Sequence, residues 1–377
     1  MDGGLGHSGS SATWTSKYGS VISSISGWLS TTTSSRTGQP FDFEHDGGTD
    51  GVNERGLAVH LLYLEATQYP VLGDRQGVTY GRWVRYLLDT CATVTEAVAA
   101  MDKVQIVDVQ IMDAARSKGV SLGAHLAIED ASGDSAIFEL INGSLRTYHG
   151  RSSNYTVMTN DPPLPAQLAN LQRYTSFGGE LPLPGDVTSE ERFVRLSYFL
   201  RFIPKVHDTI VMAGHLRSII MSAAVPQGAP DSDDPAHGVY PTWWVSLIDF
   251  RQQIYYWGGT LQPNFLWIDL NRLARDGRFD EGSPTLSLNP RQRTLAGMPL
   301  EGEVSNDFSS SASTAALLSA EGPEGGSNPD LAAAAATAAA AVLIGLTTVR
   351  VLPGAISRAC CLGMPPEAAW SEHLLRA

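Results

Sequence analysis

The sequence is poor in cysteine and in basic residues. Only three of its 377 residues are cysteines, Cys91, Cys360 and Cys361, and their spacing fits neither a disulfide framework nor a metal site. Lysine and arginine number 26 against 39 aspartates and glutamates, which gives a formal net charge of −13. Because phosphate backbones are bound by clustered Lys and Arg, this composition argues against a nucleic-acid partner.

Several motifs that carry cofactors or catalysis are also missing. The chain has no Walker loop, no G-x-G-x-x-G after a predicted strand, no G-x-S-x-G elbow and no H-E-x-x-H. The acidic stretch 42–50, DFEHDGGTD, contains residue types that bind metals, but such glycine-containing loops are more often solvated turns. We therefore expect no cofactor and no metal.

The N-terminus lacks a basic segment followed by an apolar run, which is the pattern of a signal peptide. As written, the chain is expected to be cytoplasmic. A secreted or periplasmic location stays open if a longer native N-terminus carries a signal peptide. The cellular location therefore remains unknown.

The chain divides into three segments of different character. Residues 1–48 are rich in Ser, Gly and Thr, residues 49–298 show clear periodicity, and residues 299–377 are an Ala/Ser-rich tail of low complexity. We predict one folded domain over the middle segment, preceded by a divergent, partly disordered segment. Within the tail, residues 331–349 are uncharged over the length of a membrane span, but alanine is only marginally apolar, so a solvated helix is favoured over a membrane anchor.

The middle segment predicts an α+β fold. Helical patterns cover 80–104 and 188–204. Strand patterns occur at 56–64, at three short runs within 123–148, at 155–160 and in a hairpin at 240–259. The hairpins imply antiparallel pairing, and the strand GLAVHLLYL is apolar on both faces, as in a sheet covered on both sides. Two stacked antiparallel sheets flanked by helices satisfy both observations.

Four residues in these elements are candidates for a site. His60 interrupts the strand 56–64, where a core histidine bonded to a backbone carbonyl is the commoner explanation. Tyr63 near the end of that strand would by default be a packing aromatic. Asn160 would cap the end of its strand, and Arg192 lies in the first turn of a helix, the unfavourable end for a cation. These patterns alone assign no function.

Taken in order, six blocks resemble the choloylglycine hydrolase family, which contains the penicillin V acylases and conjugated bile acid hydrolases. The blocks are WTSKYGSV (14–21), TDGVNERGLAVHLLYL (49–64), AHLAIEDASGDSAIFELINGSL (124–145), YTVMTNDPPLPAQLANL (155–171), LPGDVTSEERFVRLSYF (183–199) and NFLWIDLNRL (264–273). The resemblance implies a four-layer αββα sandwich of the N-terminal nucleophile type. It also implies hydrolysis of small-molecule acyl amides by an N-terminal cysteine, whose own α-amine serves as the base.

By position, the resemblance gives three residues a role. Tyr63 matches the position whose backbone N–H lines the oxyanion hole, and Asn160 matches the asparagine whose side-chain amide is the second donor. Arg192 matches the arginine that supports the nucleophile's environment. A tyrosine at position 63 resembles the penicillin V acylases more than the bile salt hydrolases. An N-acylethanolamine or ceramide amidase relative, with the same mechanism, is an alternative.

The match breaks at the N-terminus. The nucleophilic cysteine of the family, with an arginine and an aspartate after it, precedes the block that matches WTSKYGSV. Here only 13 residues precede Trp14, and no cysteine precedes Cys91. We therefore expect an N-terminally truncated chain without amide hydrolase activity, or a non-catalytic scaffold that binds acyl amides. Homo-oligomerisation stays open.

Overall fold

The computed structural model of the protein describes residues 11–24, 33–34, 47–108, 111–113, 118–120, 122–226, 228–229, 241–260, 262–280, 285–288, 293–294, 296–308 and 348–352. Over these residues the fold is α+β. The strands are β1 Ser20–Ser24, β2 Thr33–Ser34, β3 Gly48–Asn53, β4 Leu57–Tyr63, β5 Gln76–Thr79, β6 Val104–Val107, β7 Ile111–Asp113, β8 Lys118–Val120, β9 Ala124–Asp130, β10 Ser135–Ile141, β11 Ser144–His149, β12 Trp244–Asp249, β13 Ile254–Gly259, β14 Leu266–Asp269, β15 Thr285–Ser287, β16 Gly302–Glu303 and β17 Thr348–Leu352. The α-helices are α1 Tyr80–Thr90, α2 Val94–Met101, α3 Leu164–Leu171, α4 Ser189–Arg201, α5 Thr209–Met221 and α6 Leu270–Arg275.

Most strands belong to two sheets. The larger sheet is antiparallel, in the order β11-β10-β9-β4-β3-β1-β17-β15, and the smaller one, which contains the predicted hairpin β12–β13, has the order β12-β13-β14-β16. Strand β4 pairs with β3, where Asp50 opposes His60, and with β9 as far as Tyr63, which opposes Ala124. Strands β2, β7 and β8 form a small third sheet, and β5 and β6 form a parallel pair. Strand β4 therefore runs near the middle of the larger sheet.

The hairpin β3–β4 is shaped by a glycine and a buried asparagine. Gly56 has a φ of +80°, a conformation that glycine adopts at little cost. The side-chain oxygen of Asn53 accepts hydrogen bonds from the backbone N–H groups of Arg55 and Leu57, at 3.0 and 3.1 Å. Its Nδ2 donates to the carbonyl oxygen of Leu88 in α1. The turn is thus tied to a neighbouring helix, which sets the direction in which β4 leaves it.

Side chains that alternate along β4 enter two different cores. Leu57 and Val59 pack against α1 and α2, whereas Ala58 lies in the core that the larger sheet shares with the smaller one. Helix α5 contacts β12 of the smaller sheet. Helices α3 and α4 pack against Ile137 of β10. Helices therefore flank two sheets that face each other.

Most of the predicted elements are confirmed, and one is wrong. The helices predicted in 80–104 and 188–204 are α1, α2 and α4, and the three strands predicted in 123–148 are β9, β10 and β11, which together cover 124–149. The segment 155–160, predicted as a strand, is not one: a 3₁₀ turn at Ser153–Tyr155 leads into irregular backbone. The Thr159 hydroxyl bonds to Ser189 of α4 and the Asn160 carbonyl oxygen to Gln167 of α3, so these groups form no strand ladder.

The burial of β4 also differs from the prediction of a strand covered on both sides. Leu57, Ala58 and Val59 have no exposed surface, whereas Leu62 and Tyr63 are each 37% exposed. The prediction therefore holds for the first half of the strand. Its C-terminal end opens to solvent, which is where a site can be reached.

The predicted domain end at Met298 stays a prediction. Described residues beyond it include Val304 and Phe308, which are buried in the core between the sheets, and β17, which pairs with β1. The acidic residues 42–46 and the apolar run 331–347 lie outside the described residues. In the described part of the chain, none of the helices has the length and hydropathy that crossing a bilayer requires.

Candidate active site

The side-chain amide of Asn160 connects the other two residues that the sequence singled out. Its Nδ2 donates to the carbonyl oxygen of Tyr63 at 2.8 Å, and its Oδ1 accepts from Nη2 of Arg192 at 2.8 Å. Tyr63 and Asn160 are 97 residues apart in the chain. The structure therefore brings Tyr63, Asn160 and Arg192 into one hydrogen-bonded chain at the end of β4.

The backbone N–H of Tyr63 faces the same side of β4 as Asn160. In an antiparallel strand the N–H and C=O of one residue point to the same side, and those of the next residue point to the other. Leu64 donates its N–H to Gly123 on the β9 side, so the polar groups of Tyr63 point away from β9. The pairing of β3 with β4 ends at His60, so the Tyr63 N–H lies beyond the paired part of that edge.

Arg192 is held from two directions in the first turn of α4. Its Nε donates to the carbonyl oxygen of Val187 at 3.0 Å, while Nη2 reaches Asn160. Burial, and then the charge of Arg195, lower the pKa of Arg192 to about 10, so the guanidinium remains cationic at neutral pH. A cation on Oδ1 polarises the Asn160 amide and makes its N–H groups better donors.

Asp161 joins the Asn160 segment to the chain that follows Tyr63. Its carboxylate accepts the backbone N–H of Glu65 at 2.6 Å and that of Ala66 at 3.1 Å. Carboxylates that accept backbone N–H groups form strong, charge-assisted bonds. The two segments are thus fastened together beside the Asn160–Tyr63 bond.

Gln167 of α3 holds the same segment from the interior. It is only 2% exposed, and its Nε2 lies 3.4 Å from the carbonyl oxygen of Asn160 and 3.1 Å from that of Asp161. The same atom lies 3.2 Å from the hydroxyl of Ser189, the first residue of α4. Sequence reasoning missed both Asp161 and Gln167. A polar residue on the buried face of an apolar helix is the signal that could have revealed Gln167.

His60 is part of a separate ionic cluster between the sheets. Its Nε2 lies 2.8 Å from Glu129, and the pair is about one-third exposed. Burial lowers the pKa of His60, but the carboxylates of Glu129 and Asp50 outweigh it and raise the pKa to about 9. Asp50 in turn accepts hydrogen bonds from Ser246 and Tyr255 of the smaller sheet. The expectation of a core histidine bonded to a backbone carbonyl was therefore wrong.

Cys91 is unsuited to act as a nucleophile. It is 2% exposed at the end of α1, and burial raises the pKa of its thiol. A protonated, covered thiol is inert because the thiolate is the reactive form. Cys360 and Cys361 lie outside the described residues. Where the structure describes the chain, no three His, Cys, Asp or Glu side chains come together as a metal site.

Comparisons with known proteins agree on one family. The model of the linear amide C–N hydrolases, choloylglycine hydrolase family, matches residues 42–278. A penicillin V acylase of Pectobacterium atrosepticum is 33% identical over 301 residues, covering 75% of this chain and 74% of that protein. A bile salt hydrolase/transferase of Clostridium perfringens is 25% identical over 270 residues, covering 64% of this chain and 78% of that protein.

Solved structures give the same picture. The penicillin V acylase from Agrobacterium tumefaciens superposes with a TM-score of 0.57 at 36% identity, covering 72% of this chain and 75% of that chain. A variant of the conjugated bile acid hydrolase from Clostridium perfringens superposes with a TM-score of 0.51 at 19% identity, covering 72% of this chain and 88% of that chain. The second match is a likeness of fold alone.

Proposed function

This chain belongs to the choloylglycine hydrolase family of linear amide C–N hydrolases, and we propose on that premise that Tyr63, Asn160 and Arg192 form its acyl-amide site. The observation that carries the proposal is the Asn160 side chain, held between the Tyr63 carbonyl and the Arg192 guanidinium. An amide nitrogen bears two hydrogens, and the bond to Tyr63 uses one. The second serves a substrate carbonyl.

The proposed architecture is the four-layer αββα sandwich of the N-terminal nucleophile type. Its support is the order of the packing contacts: α1 and α2 pack on one face of the larger sheet, and the smaller sheet packs on the other. Helix α5 contacts the smaller sheet at β12. In such a sandwich the end of β4 lies at the rim of the space between the sheets, where a substrate can enter.

The proposed chemistry is stabilisation of the negative charge that develops on the carbonyl oxygen of an amide. The N–H of Tyr63 and Nδ2 of Asn160 are two donors on the same side of the strand end. Removing one donor of this kind costs about 10²–10³ in rate in enzymes that use them. Arg192 keeps the Asn160 amide oriented, so that its nitrogen and not its oxygen faces the substrate.

Cys91 is buried at the end of α1, and burial raises the pKa of its thiol. We therefore propose that the site formed by Tyr63, Asn160 and Arg192 binds an acyl amide and that Cys91 is not a nucleophile for it. The ligand proposed is of the penicillin V type, an aromatic acyl amide. Its support is the identity to two penicillin V acylases, together with a tyrosine at position 63.

The test is a binding and turnover measurement on the 377-residue chain. Calorimetry with penicillin V, with glycocholate and an N-acylethanolamine as comparators, gives the affinities, and chromatography detects any released acid. We expect penicillin V to bind most tightly, and we expect any release of acid to be the same in a Cys91→Ala variant. Asn160→Ala should weaken binding about tenfold or more, since it removes the Nδ2 donor proposed for the carbonyl oxygen of the ligand.

The control is Asn271→Ala on α6, which removes an asparagine whose Nδ2 also donates to a backbone carbonyl, that of Gln252 at 3.0 Å. Its affinity for penicillin V should equal that of the unaltered chain. Lack of penicillin V binding would refute the acyl-amide site. Release of phenoxyacetic acid that is lost in Cys91→Ala would refute the exclusion of Cys91 as a nucleophile.

A further inference from the structure

The carboxylate of Asp161 makes two bonds that the oxyanion chemistry does not itself require. It accepts the backbone N–H groups of Glu65 and Ala66, which lie 96 and 95 residues earlier in the chain. These two residues directly follow the pair Tyr63 and Leu64. Asp161 directly follows Asn160. One carboxylate therefore bridges the segment that presents the first proposed donor and the segment that presents the second.

We propose that Asp161 is a positioning residue of the acyl-amide site, which fixes the separation between the Tyr63 N–H and Asn160 Nδ2. This inference rests on the function proposed above. The bond from Asn160 to the Tyr63 carbonyl is a single contact, about which two segments can still rotate. The two bonds of Asp161 supply further points of attachment, so the relative position of the two donors is set.

Each segment is anchored separately on its other side. Gln167 holds the carbonyl oxygens of Asn160 and Asp161. Leu64 is fully buried and donates its N–H to Gly123 of the chain leading into β9. Asp161 therefore links two segments that are each anchored elsewhere, the one after Tyr63 and the one that contains Asn160. Oxyanion donors must be held within a fraction of an ångström to be effective.

The sign of the charge separates positioning from electrostatics. A carboxylate near a carbonyl oxygen that gathers negative charge opposes that charge. Burial, and the charges of Glu65 and Asp161, raise the pKa of the Tyr63 phenol, so the negative charge of Asp161 acts on the Tyr63 side chain. If Asp161 acted only through its negative charge, removing that charge would tighten amide binding. If Asp161 acts mainly by fixing the positions of the two donors, removing the carboxylate weakens amide binding.

The test is Asp161→Asn, which keeps the shape and loses one of the two acceptor oxygens. Calorimetry compares penicillin V with its side-chain thioamide, in which sulfur, a weak acceptor, replaces the acyl oxygen. We expect the affinity for the amide to fall about tenfold and that for the thioamide to change less than about twofold. In an Asn160→Ala background, the same substitution should have no further effect on amide affinity.

The matched control is Asp208→Asn at the start of α5, where the carboxylate also accepts two backbone N–H bonds, from Ile210 and Val211. It should leave both affinities unchanged and change the unfolding temperature little, because both bonds go to Oδ1 and asparagine caps a helix about as well as aspartate. If Asp161→Asn does not fold, Asp161→Glu can replace it, because glutamate keeps the charge on a longer side chain. It should weaken the binding of the amide and leave that of the thioamide unchanged.

Three outcomes overturn the inference. An unchanged or tighter amide affinity in Asp161→Asn excludes a positioning role. Equal losses for amide and thioamide show a general structural role instead. Lack of penicillin V binding by the unaltered chain removes the proposed function together with this inference, and so differs from the first two outcomes, in which that function stands.

Discussion

Arg192 and Asn160 act on each other through one hydrogen bond of 2.8 Å. The guanidinium is also fixed through Nε to the Val187 carbonyl, so its plane is held at two edges. A planar donor with several N–H groups in fixed directions suits this position, because it binds two oxygens at once and keeps its charge. The orientation of the proposed Asn160 donor therefore depends on Arg192.

Arg192→Lys tests this dependence because lysine keeps the positive charge but lacks the planar guanidinium with its several N–H donors. A single ammonium cannot bind the Val187 carbonyl and Asn160 Oδ1 in the same planar arrangement. We expect the affinity for penicillin V to fall about tenfold in calorimetry, since a hydrogen bond to a charged group contributes about 1.5–3 kcal/mol. Arg275→Lys, a largely exposed position on α6, serves as the control and should bind normally. An unchanged affinity in Arg192→Lys would contradict the role.

Single residues of the site could be found from the sequence only through family resemblance. Tyr63, Asn160 and Arg192 carry no motif, and Arg192 even occupies the helix end that disfavours a cation. Their bonds cross 97 and 32 residues of chain, and no local pattern encodes such pairings. Asp161 and Gln167 became visible only when the irregular segment before α3 was placed against β4.

The end of β4 is an element whose position depends on a glycine. An added Cβ at Gly123 would lie 2.0 Å from the carbonyl oxygen of Leu64 and 3.0 Å from its carbonyl carbon. Both are backbone atoms, so the chain that follows Tyr63 would have to move. The close approach of these two segments therefore requires glycine at this position.

Gly123→Ala should lower the unfolding temperature and weaken penicillin V binding, because the displaced backbone carries the Tyr63 donor. Thermal unfolding and calorimetry measure the two effects. Gly214→Ala in α5 is the matched control, since a Cβ there meets nothing within 4 Å. It should stabilise the protein by up to about 1 kcal/mol, as alanine favours a helix over glycine. Equal behaviour of the two variants would contradict the close approach.

Elements with strong local signals were predictable, and those held by side chains were not. The turns DASGD and NGS separate β9, β10 and β11 as expected. The segment 155–160 has strand-like residues, yet its groups bond to Gln167 and to Ser189, so no ladder forms. Helices α3 and α5 were not predicted at all.

Across the whole molecule, the two sheets meet through a polar cluster as well as through an apolar core. Asp50 of β3 accepts hydrogen bonds from Ser246 and Tyr255 of the smaller sheet, and His60 opposite it pairs with Glu129. The pattern GLAVHLLYL predicted a buried strand but not the charges around it, because Glu129 lies on a different strand. The α+β class was predictable, since it depends on local patterns summed over many elements.

This cluster predicts a pH dependence of stability. The pKa of His60 is raised to about 9 in the folded protein, against an ordinary value near 6.5. Folding therefore favours the protonated form, and the stabilisation is complete below about pH 6.5 and is lost as the pH rises through about 9. Urea unfolding at pH 6, 7, 8 and 9 should show this loss, and His60→Gln should show less of it. Glu129→Gln removes the ion-pair partner of His60 and should likewise reduce the dependence of the free energy of unfolding on pH. An unchanged pH dependence in both variants would contradict the raised pKa of His60.

The most direct measurement for the acyl-amide site is a crystal structure of this chain with penicillin V bound. We expect the side-chain carbonyl oxygen of the ligand to lie within about 3 Å of both the Tyr63 nitrogen and Asn160 Nδ2. Asn160 should keep its bonds to the Tyr63 carbonyl and to Arg192. A ligand bound elsewhere, or with its carbonyl turned away from these two donors, would contradict the assignment of the acyl-amide site.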